Sequence, residues 1–456
     1  MRPMNSSTEP STPKTIQPPC WDQFFQVTSR GSSLRTEIMA AVSLYFSLAY
    51  ILVVNPAILA KGGFDAGSVL FATAIASGLT SILMGLWARL PFALAPGLEM
   101  NGFVAFSAIG IMGLSVGQAL GAVFWSGVLC VLLTWLPIRG LIIRSIPLGL
   151  QSNLALSVGV FVVTIGLFLA KLVVFDRGFP SAFGSLATPE AITLYIGLAV
   201  CVTLRLFVNS ASFGARLLSG SSFLIAIIIS TLFCVSAGIS ADTTTSFSTN
   251  MLRGVGELDW WPFINGSTLT VFLVLFLIDF YGSIGKFIGL TAATNLRSKD
   301  QGVIGLEKAM YVDGIGTIGG ALLGTTSVIT YVESAIGIHA GGRTGIVAIT
   351  CGVMMLASLI FTPLVSLVPV VATSGVLVYV GYALLPKEKF ERFDLIVGIV
   401  MAVITFMTFS LDKAMLVGFG AYALQPLLHR KTNFNPVLII SFLLLVISVT
   451  LQLTFH

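Results

Sequence analysis

The chain reads as an all-α polytopic membrane protein of about fourteen spans, arranged as a 7+7 inverted repeat with two discontinuous half-helix segments. Three observations lead there. Hydrophobic residues make up 56% of the chain and charged residues 9%, against about 25% charged in soluble domains. A soluble protein of 456 residues with so few charges could not cover its surface with polar groups. Apolar runs long enough to cross a bilayer recur from 37 to 454. Two of them, one in each half, are interrupted: 91–103 (PFALAPGLEMNGF) and 324–334 (GTTSVITYVES), the latter continuing to GGRTG at 341–345. Matched interruptions in two halves point to a transporter's substrate site near the membrane midplane.

Residues 1–32 are rich in Ser, Thr and Pro and lack an apolar signal-peptide core, so a disordered cytoplasmic tail is expected. Spans follow near 37–60, 66–87, 92–110, 115–136, 150–172, 190–208 and 218–238. A second set lies near 268–291, 307–323, 326–340, 344–363, 367–385, 393–410 and 413–428. The first repeat is therefore 33–240 and the second 260–430. The apolar run at 435–454, within a C-terminal hydrophobic segment 431–456, is an additional span or part of the last hairpin.

Loop charges support this order. With the N-terminus in the cytoplasm, inside loops carry Arg30, Arg35, Arg89, Arg139, Arg144, Arg216, Arg297, Lys299, Lys308, Arg343, Lys387, Lys389, Arg392, Arg430 and Lys431. Outside loops carry Lys61, Lys171, Arg177, Arg253 and Lys413. That is the positive-inside bias of a multi-pass cytoplasmic-membrane protein. It also accounts for the net charge of +5 without nucleic acid. The five cysteines show neither disulfide nor metal spacing.

Backbone that leaves a helix cannot face lipid, because each unpaired N–H or C=O costs several kcal/mol there. Gly97 and residues 324–327, which include Thr326 and Ser327, must therefore line an enclosed space. Half-helices after the breaks would aim free N–H groups into it. Intramembrane Glu99, Asp279, Lys286 and Glu333 are functional candidates by default, with structural ion pairs as the plain alternative. Asp279, Gly282 and Lys286 share one helix face, while Gly285 and Gly289 serve helix packing. Glu333, placed on the second half-helix, could accept a ligand N–H or take a proton. His339 is a satisfied interfacial histidine and Arg343 a cytoplasmic anchor. Walker, dinucleotide and metal-ligand patterns are all missing from the sequence, so neither an enzyme, a cofactor nor a metal is expected. A gradient would drive transport.

These motifs resemble the second nucleobase:cation symporter family, within the xanthine/uracil permease superfamily, in its AzgA-like purine permease branch. The resemblance covers roughly 33–430. It rests on TEI at 36–38, AYILVVNP at 49–56, APGLEMN at 95–101, GTTS with YVES at 324–334, and GGRTG at 341–345. It implies a core and a gate domain, often a homodimer, and proton-coupled purine uptake by an elevator-like movement. It also implies a substrate held between the two half-helices and the eighth span, with Glu333 and Asn101 matching the family's carboxylate and asparagine. The eighth span departs from the family pattern DLFDTxGT: the second Asp is Gly282 and the last Thr is Lys286. A small residue of the third span is Glu99, and a Thr-rich stretch of the first span has become Ser43 to Ser47. Glu99 and Lys286 are expected to compensate one another, since either alone is an unpaired buried charge.

The expected substrate-facing residues are Glu333, Asn101, Glu99, Gly282, Ser283, Lys286, Thr326, Ser327 and Phe103, with Glu333 and Asp279 as proton carriers. The expected partners are a nucleobase-like small molecule, a proton or sodium ion, and the lipid bilayer. Two alternatives stand beside this reading. One is a transporter of an anionic or modified purine-like heterocycle. The other is a non-transporting membrane receptor that keeps the fold.

Overall fold

The computed structural model describes residues 20–136, 147–176, 179–207, 213–239, 251–262, 266–292, 305–361, 364, 367–386, 390–428 and 435–454. The inside charges Arg139, Arg144, Arg297, Lys299, Lys387, Lys389, Arg430 and Lys431, the outside charge Arg177, and residues 1–19 of the expected tail lie outside these. The rest of that tail is ordered. Cys20–Phe25 forms a short helix, α1. Asp22 then accepts from the Thr28 amide and hydroxyl at 2.9 and 2.7 Å, closing the next turn.

The first half continues with α2 (Leu34–Leu48), α3 (Ile51–Lys61), α4 (Ala66–Leu83), β1 (Leu94–Pro96), α5 (Leu98–Gly102), α6 (Val116–Trp135), α7 (Leu148–Leu169), the hairpin β2 (Val173–Asp176) and β3 (Phe179–Phe183), α8 (Pro189–Phe207), α9 (Phe213–Gly220) and α10 (Ser222–Ser236). The second comprises α11 (Gly266–Ala292), α12 (Leu306–Leu323), β4 (Val328–Thr330), α13 (Ser334–His339), α14 (Gly345–Ala357), α15 (Ser374–Ala383), α16 (Arg392–Thr408), α17 (Leu411–Leu428) and α18 (Pro436–Thr454). The C-terminal apolar run is thus a separate helix, packed on α17 and α11.

Among the described residues, six helical stretches are long and apolar enough to cross a membrane: Leu34–Lys61, Ala66–Ala88, Val116–Trp135, Leu148–Leu169, Pro189–Leu206 and Gly266–Ser283. The first is interrupted at Ala49 and Tyr50, where Leu52 and Val53 bond back only three residues. Glycines let other helices meet backbone to backbone. A Cβ on Gly381 of α15 would lie 2.6 Å from the Gly159 carbonyl of α7, and one on Gly352 of α14 would lie 2.6 Å from the Gly78 carbonyl of α4.

The expectation of an all-α chain needs correcting at two places. The hairpin β2–β3 lies between α7 and α8. More important, the two interrupted segments pair as an antiparallel ribbon, with Leu94 opposite Thr330, Ala95 opposite Ile329 and Pro96 opposite Val328. All six residues are buried. The Gly97 amide donates to the Ser327 carbonyl at 2.9 Å and the Tyr331 amide to the Ala93 carbonyl at 3.1 Å, which extends the pairing at both ends. Each broken segment thus satisfies the other, as non-helical backbone at membrane depth requires.

A two-stranded ribbon still has two open edges, and side chains close them. Ser81 of α4 accepts from the Leu94 amide at 2.9 Å. Asp313 of α12 accepts from the Thr330 amide at 2.8 Å and its hydroxyl at 3.0 Å. Gly324, between α12 and β4, has φ of 92°, the left-handed conformation that ends a helix at least cost in glycine.

Candidate functional site

The ribbon delivers both short helices to one cleft. Tyr50, Leu98, Glu99, Lys286, Tyr331, Val332, Glu333, Val380 and Leu384 line it. Its walls therefore come from the start of α3, from α5, α11 and the end of the ribbon, and from α15.

Its charges are arranged as follows. Lys286 Nζ donates to Glu99 Oε1 at 3.1 Å, with the side chains 15% and 10% exposed. The Tyr50 hydroxyl donates to Glu333 Oε1 at 3.1 Å. Glu333 Oε2 is buried and has no partner among the described residues. The Tyr331 hydroxyl donates to the Pro96 carbonyl, fastening one wall to the ribbon. At Gly282, one turn before Lys286, an added Cβ would meet nothing within 4 Å.

The other expected site residues lie behind this cleft. Asn101 is fully buried and accepts through Oδ1 from the Thr326 hydroxyl, while its Nδ2 has no partner among the described residues. Thr326, Ser327 and Phe103 are fully buried and do not line the cleft. The Asn101–Thr326 bond and the Ser327 carbonyl, which accepts from the Gly97 amide, hold the crossing together. Phe103 opens the π-helical turn run Phe103–Ile111 after α5. Ser283 and Asp279 are also buried.

Glu333 stands at the N-cap of α13, one residue before the half-helix on which it was expected. The amides of Ser334, Ala335 and Ile336 are bonded to the carbonyls of Tyr331, Val332 and Glu333. The anticipated free N–H groups at that half-helix are therefore occupied, because the chain enters it through a tight turn. His339 is exposed, and Arg343 donates to the carbonyls of Ile338 and Gly342 at 2.6 and 2.8 Å.

Sequence reasoning missed Asp313. Asp279 accepts from Thr317 Oγ1 at 3.0 Å and Ser283 Oγ at 3.3 Å. Ser283 is also bonded to Asp313, so one hydroxyl bridges two carboxylates. Asp313 thereby connects α11 to the Thr330 edge of the ribbon. An ionisable residue within a span was the available signal, but Glu307 and Lys308 nearby make α12 look less apolar. Arg205 was also missed. Its guanidinium lies 4.4 Å from the Phe223 ring centre, and Phe223 packs edge-on against Tyr50 at 4.9 Å.

The first-span motifs bind the second half directly. Asn55 Nδ2 donates to Thr73 Oγ1 at 2.7 Å and to Thr325 Oγ1 at 2.9 Å. The motif at 36–38 grips the turn at 341–345 through Glu37, which accepts from the Arg343 and Thr344 amides.

A cleft between two crossed, interrupted segments is a carrier architecture, and comparison with known proteins agrees. A family model described as a permease family matches residues 35–403. The chain belongs to this permease family. The permease is 34% identical over 407 residues to a putative permease of Methanocaldococcus jannaschii, covering 88% of this chain and 91% of the relative. It is 32% identical over 438 residues to a guanine/hypoxanthine permease of Escherichia coli O157:H7, covering 94% and 97%. It is 30% identical over 408 residues to an adenine permease of Escherichia coli K12, covering 88% and 90%.

The permease also shares its fold with the transmembrane domain of a cyanobacterial bicarbonate transporter, BicA. That match has a TM-score of 0.61 at 13% identity and covers 84% of this chain and 97% of that one. Murine solute carrier 26 family member A9, an anion transporter, matches with a TM-score of 0.59 at 11% identity, covering 93% and 74%. The permease therefore has a mostly helical membrane-transporter fold, and the expectation of a transport protein rather than an enzyme stands.

Proposed function

We propose that this permease is a secondary active transporter of a purine nucleobase across the cytoplasmic membrane, coupled to protons and working by an elevator-like movement. The observation that carries the reading is the cleft between the paired segments, where Glu333 keeps one buried carboxylate oxygen free for a ligand N–H. Relatives named as adenine and guanine/hypoxanthine permeases supply the substrate class. Glu99, beside Lys286, cancels most of the ammonium charge and so favours a neutral base over an anionic heterocycle.

Fourteen spans in two inverted repeats, with the N-terminus cytoplasmic and the chain paired as a homodimer, complete the reading. Two relations support the repeat. Ser81 of α4 closes the edge of β1, and Asp313 of α12 closes the edge of β4. Likewise α4 packs on α14 while α6 packs on α12. Each relation maps onto the other when the halves are exchanged. Glu333 and Asp279 are the proton carriers in this scheme. Both are buried carboxylates bonded to hydroxyls, and neither has a cation within ion-pair distance among the described residues.

Radiolabelled purine uptake into proteoliposomes, with and without an imposed pH gradient, tests the proposal. Gradient-dependent accumulation is expected. Absence of uptake for adenine, guanine and hypoxanthine alike would refute it.

A further inference from the structure

The Lys286–Glu99 pair has hydrogen-bonding capacity left over. An ammonium offers three donors and a carboxylate two acceptor oxygens. The single contact between them uses one of each. No other hydrogen bond to either side chain is made among the described residues, and both line the cleft. The wall thus presents a donor directly beside an acceptor. Glu333 Oε2 adds a second acceptor in the same cleft, buried and without a partner among the described residues.

A ligand that completes this wall needs an acceptor next to a donor on one edge and another N–H elsewhere. The lactam edge of a 6-oxopurine fits: the C6 carbonyl accepts from Lys286, the adjacent N1–H donates to Glu99, and a five-membered-ring N–H reaches Glu333. A 6-aminopurine carries the reverse order, an exocyclic amine beside a bare ring nitrogen. To satisfy the pair it must be turned over, or rotated in its plane to offer N7 and the amine, and either change takes its five-membered-ring N–H from the position that meets Glu333. One buried polar group is then left unpaired, and sites built on hydrogen bonds reject such ligands strongly.

Resting on the nucleobase reading above, we infer that Lys286 and Glu99 are a specificity-determining pair that, with Glu333, selects 6-oxopurines over 6-aminopurines. Gly282 has a part in this. It leaves the space one turn before Lys286 open, so no side chain at that position competes for the ammonium.

The test is competition between hypoxanthine and adenine, which differ only along this edge, for the full-length protein in proteoliposomes. Hypoxanthine should bind about ten- to a hundredfold more tightly, the scale of one unpaired buried group. In the double variant Glu99→Gln, Lys286→Met the ratio should fall towards one. Equal binding, or a preference for adenine, in the unaltered protein would overturn the inference while leaving nucleobase transport intact. That comparison stands whether or not the variant folds. A ratio that persists in a folded double variant would overturn the role of the pair. If neither base binds, the inference fails, and if guanine is not taken up either the transport reading fails with it.

Discussion

Glu37 holds Thr344 at both its amide and its hydroxyl, at 3.1 and 2.8 Å, and takes the Arg343 amide at 2.9 Å. Glu37 is fully buried, so this carboxylate caps the start of α14 from the opposite half of the chain. Glu37→Ala strips the acceptor from two backbone N–H groups. Each buried unsatisfied group costs about 1–3 kcal/mol, so a clear drop in melting temperature in detergent is expected. Glu37→Gln, which keeps one acceptor oxygen, should lose less. Unchanged melting of the alanine variant would show that the turn finds other partners.

Glu333→Gln keeps the shape of the side chain and removes its charge. Uptake should fall more than tenfold at equal abundance in the membrane. Tyr50→Phe removes only one orienting hydrogen bond, worth about 0.5–1.5 kcal/mol, so a two- to tenfold loss is expected. Near-normal uptake by Glu333→Gln would take this residue out of the mechanism.

The ion pair predicts strong coupling. Breaking a fully buried pair costs about 3–5 kcal/mol. Partial exposure of Lys286 and Glu99 reduces the expected cost of either single change, Glu99→Gly or Lys286→Thr, to roughly 2–4 kcal/mol. The double change should be milder than the sum, measured as unfolding free energies in a double-mutant cycle. Additive effects would mean that the two charges act independently.

Asp313 should matter for folding more than its lack of contact with the cleft suggests. Asp313→Ala leaves the Thr330 amide without its acceptor at an open edge of the ribbon. The yield of monodisperse protein should drop severely. Asp313→Asn retains an acceptor oxygen for that amide and should recover most of the yield. Equal yields for both variants would show that Thr330 does not depend on Asp313.

Arg30 donates to the carbonyls of both Arg89 and Arg343 at 3.1 Å, so three of the residues read as inside charges meet at one end of the molecule. A cysteine at exposed Ser29 should resist an impermeant thiol reagent added outside the cell. One at exposed Ser185, beyond the β2–β3 hairpin, should react. The opposite pattern would invert the orientation.

Much of this was legible in the sequence because lipid leaves a chain few options. The apolar runs, the breaks at Gly97 and Gly324, and the mutual need of Glu99 and Lys286 all follow from the cost of unpaired polar groups in hydrocarbon. The ribbon did not show. Three-residue strands buried on both faces carry no alternation, and Leu94 to Pro96 reads like any apolar stretch. The placement of Asn101 and Thr326 behind the cleft was hidden for a related reason. Polar residues beside a break can serve a ligand or the break itself, and only the register of the ribbon separates the two. Glu37 and Asn55 were visible as motif members, but their partners at Thr344 and Thr325 lie hundreds of positions away.

That distance bears on how the protein is made. Pro96 and the Tyr331 hydroxyl that it accepts from are 235 residues apart. At ribosomal rates of about 5–20 residues per second, Pro96 leaves the ribosome roughly 10–50 s before Tyr331 does. Throughout that interval the first crossing segment has no strand to pair with. The nascent N-terminal half must therefore keep this stretch coiled as helix, or sheltered from lipid, until its counterpart arrives, and the cleft cannot be completed before the second half is made.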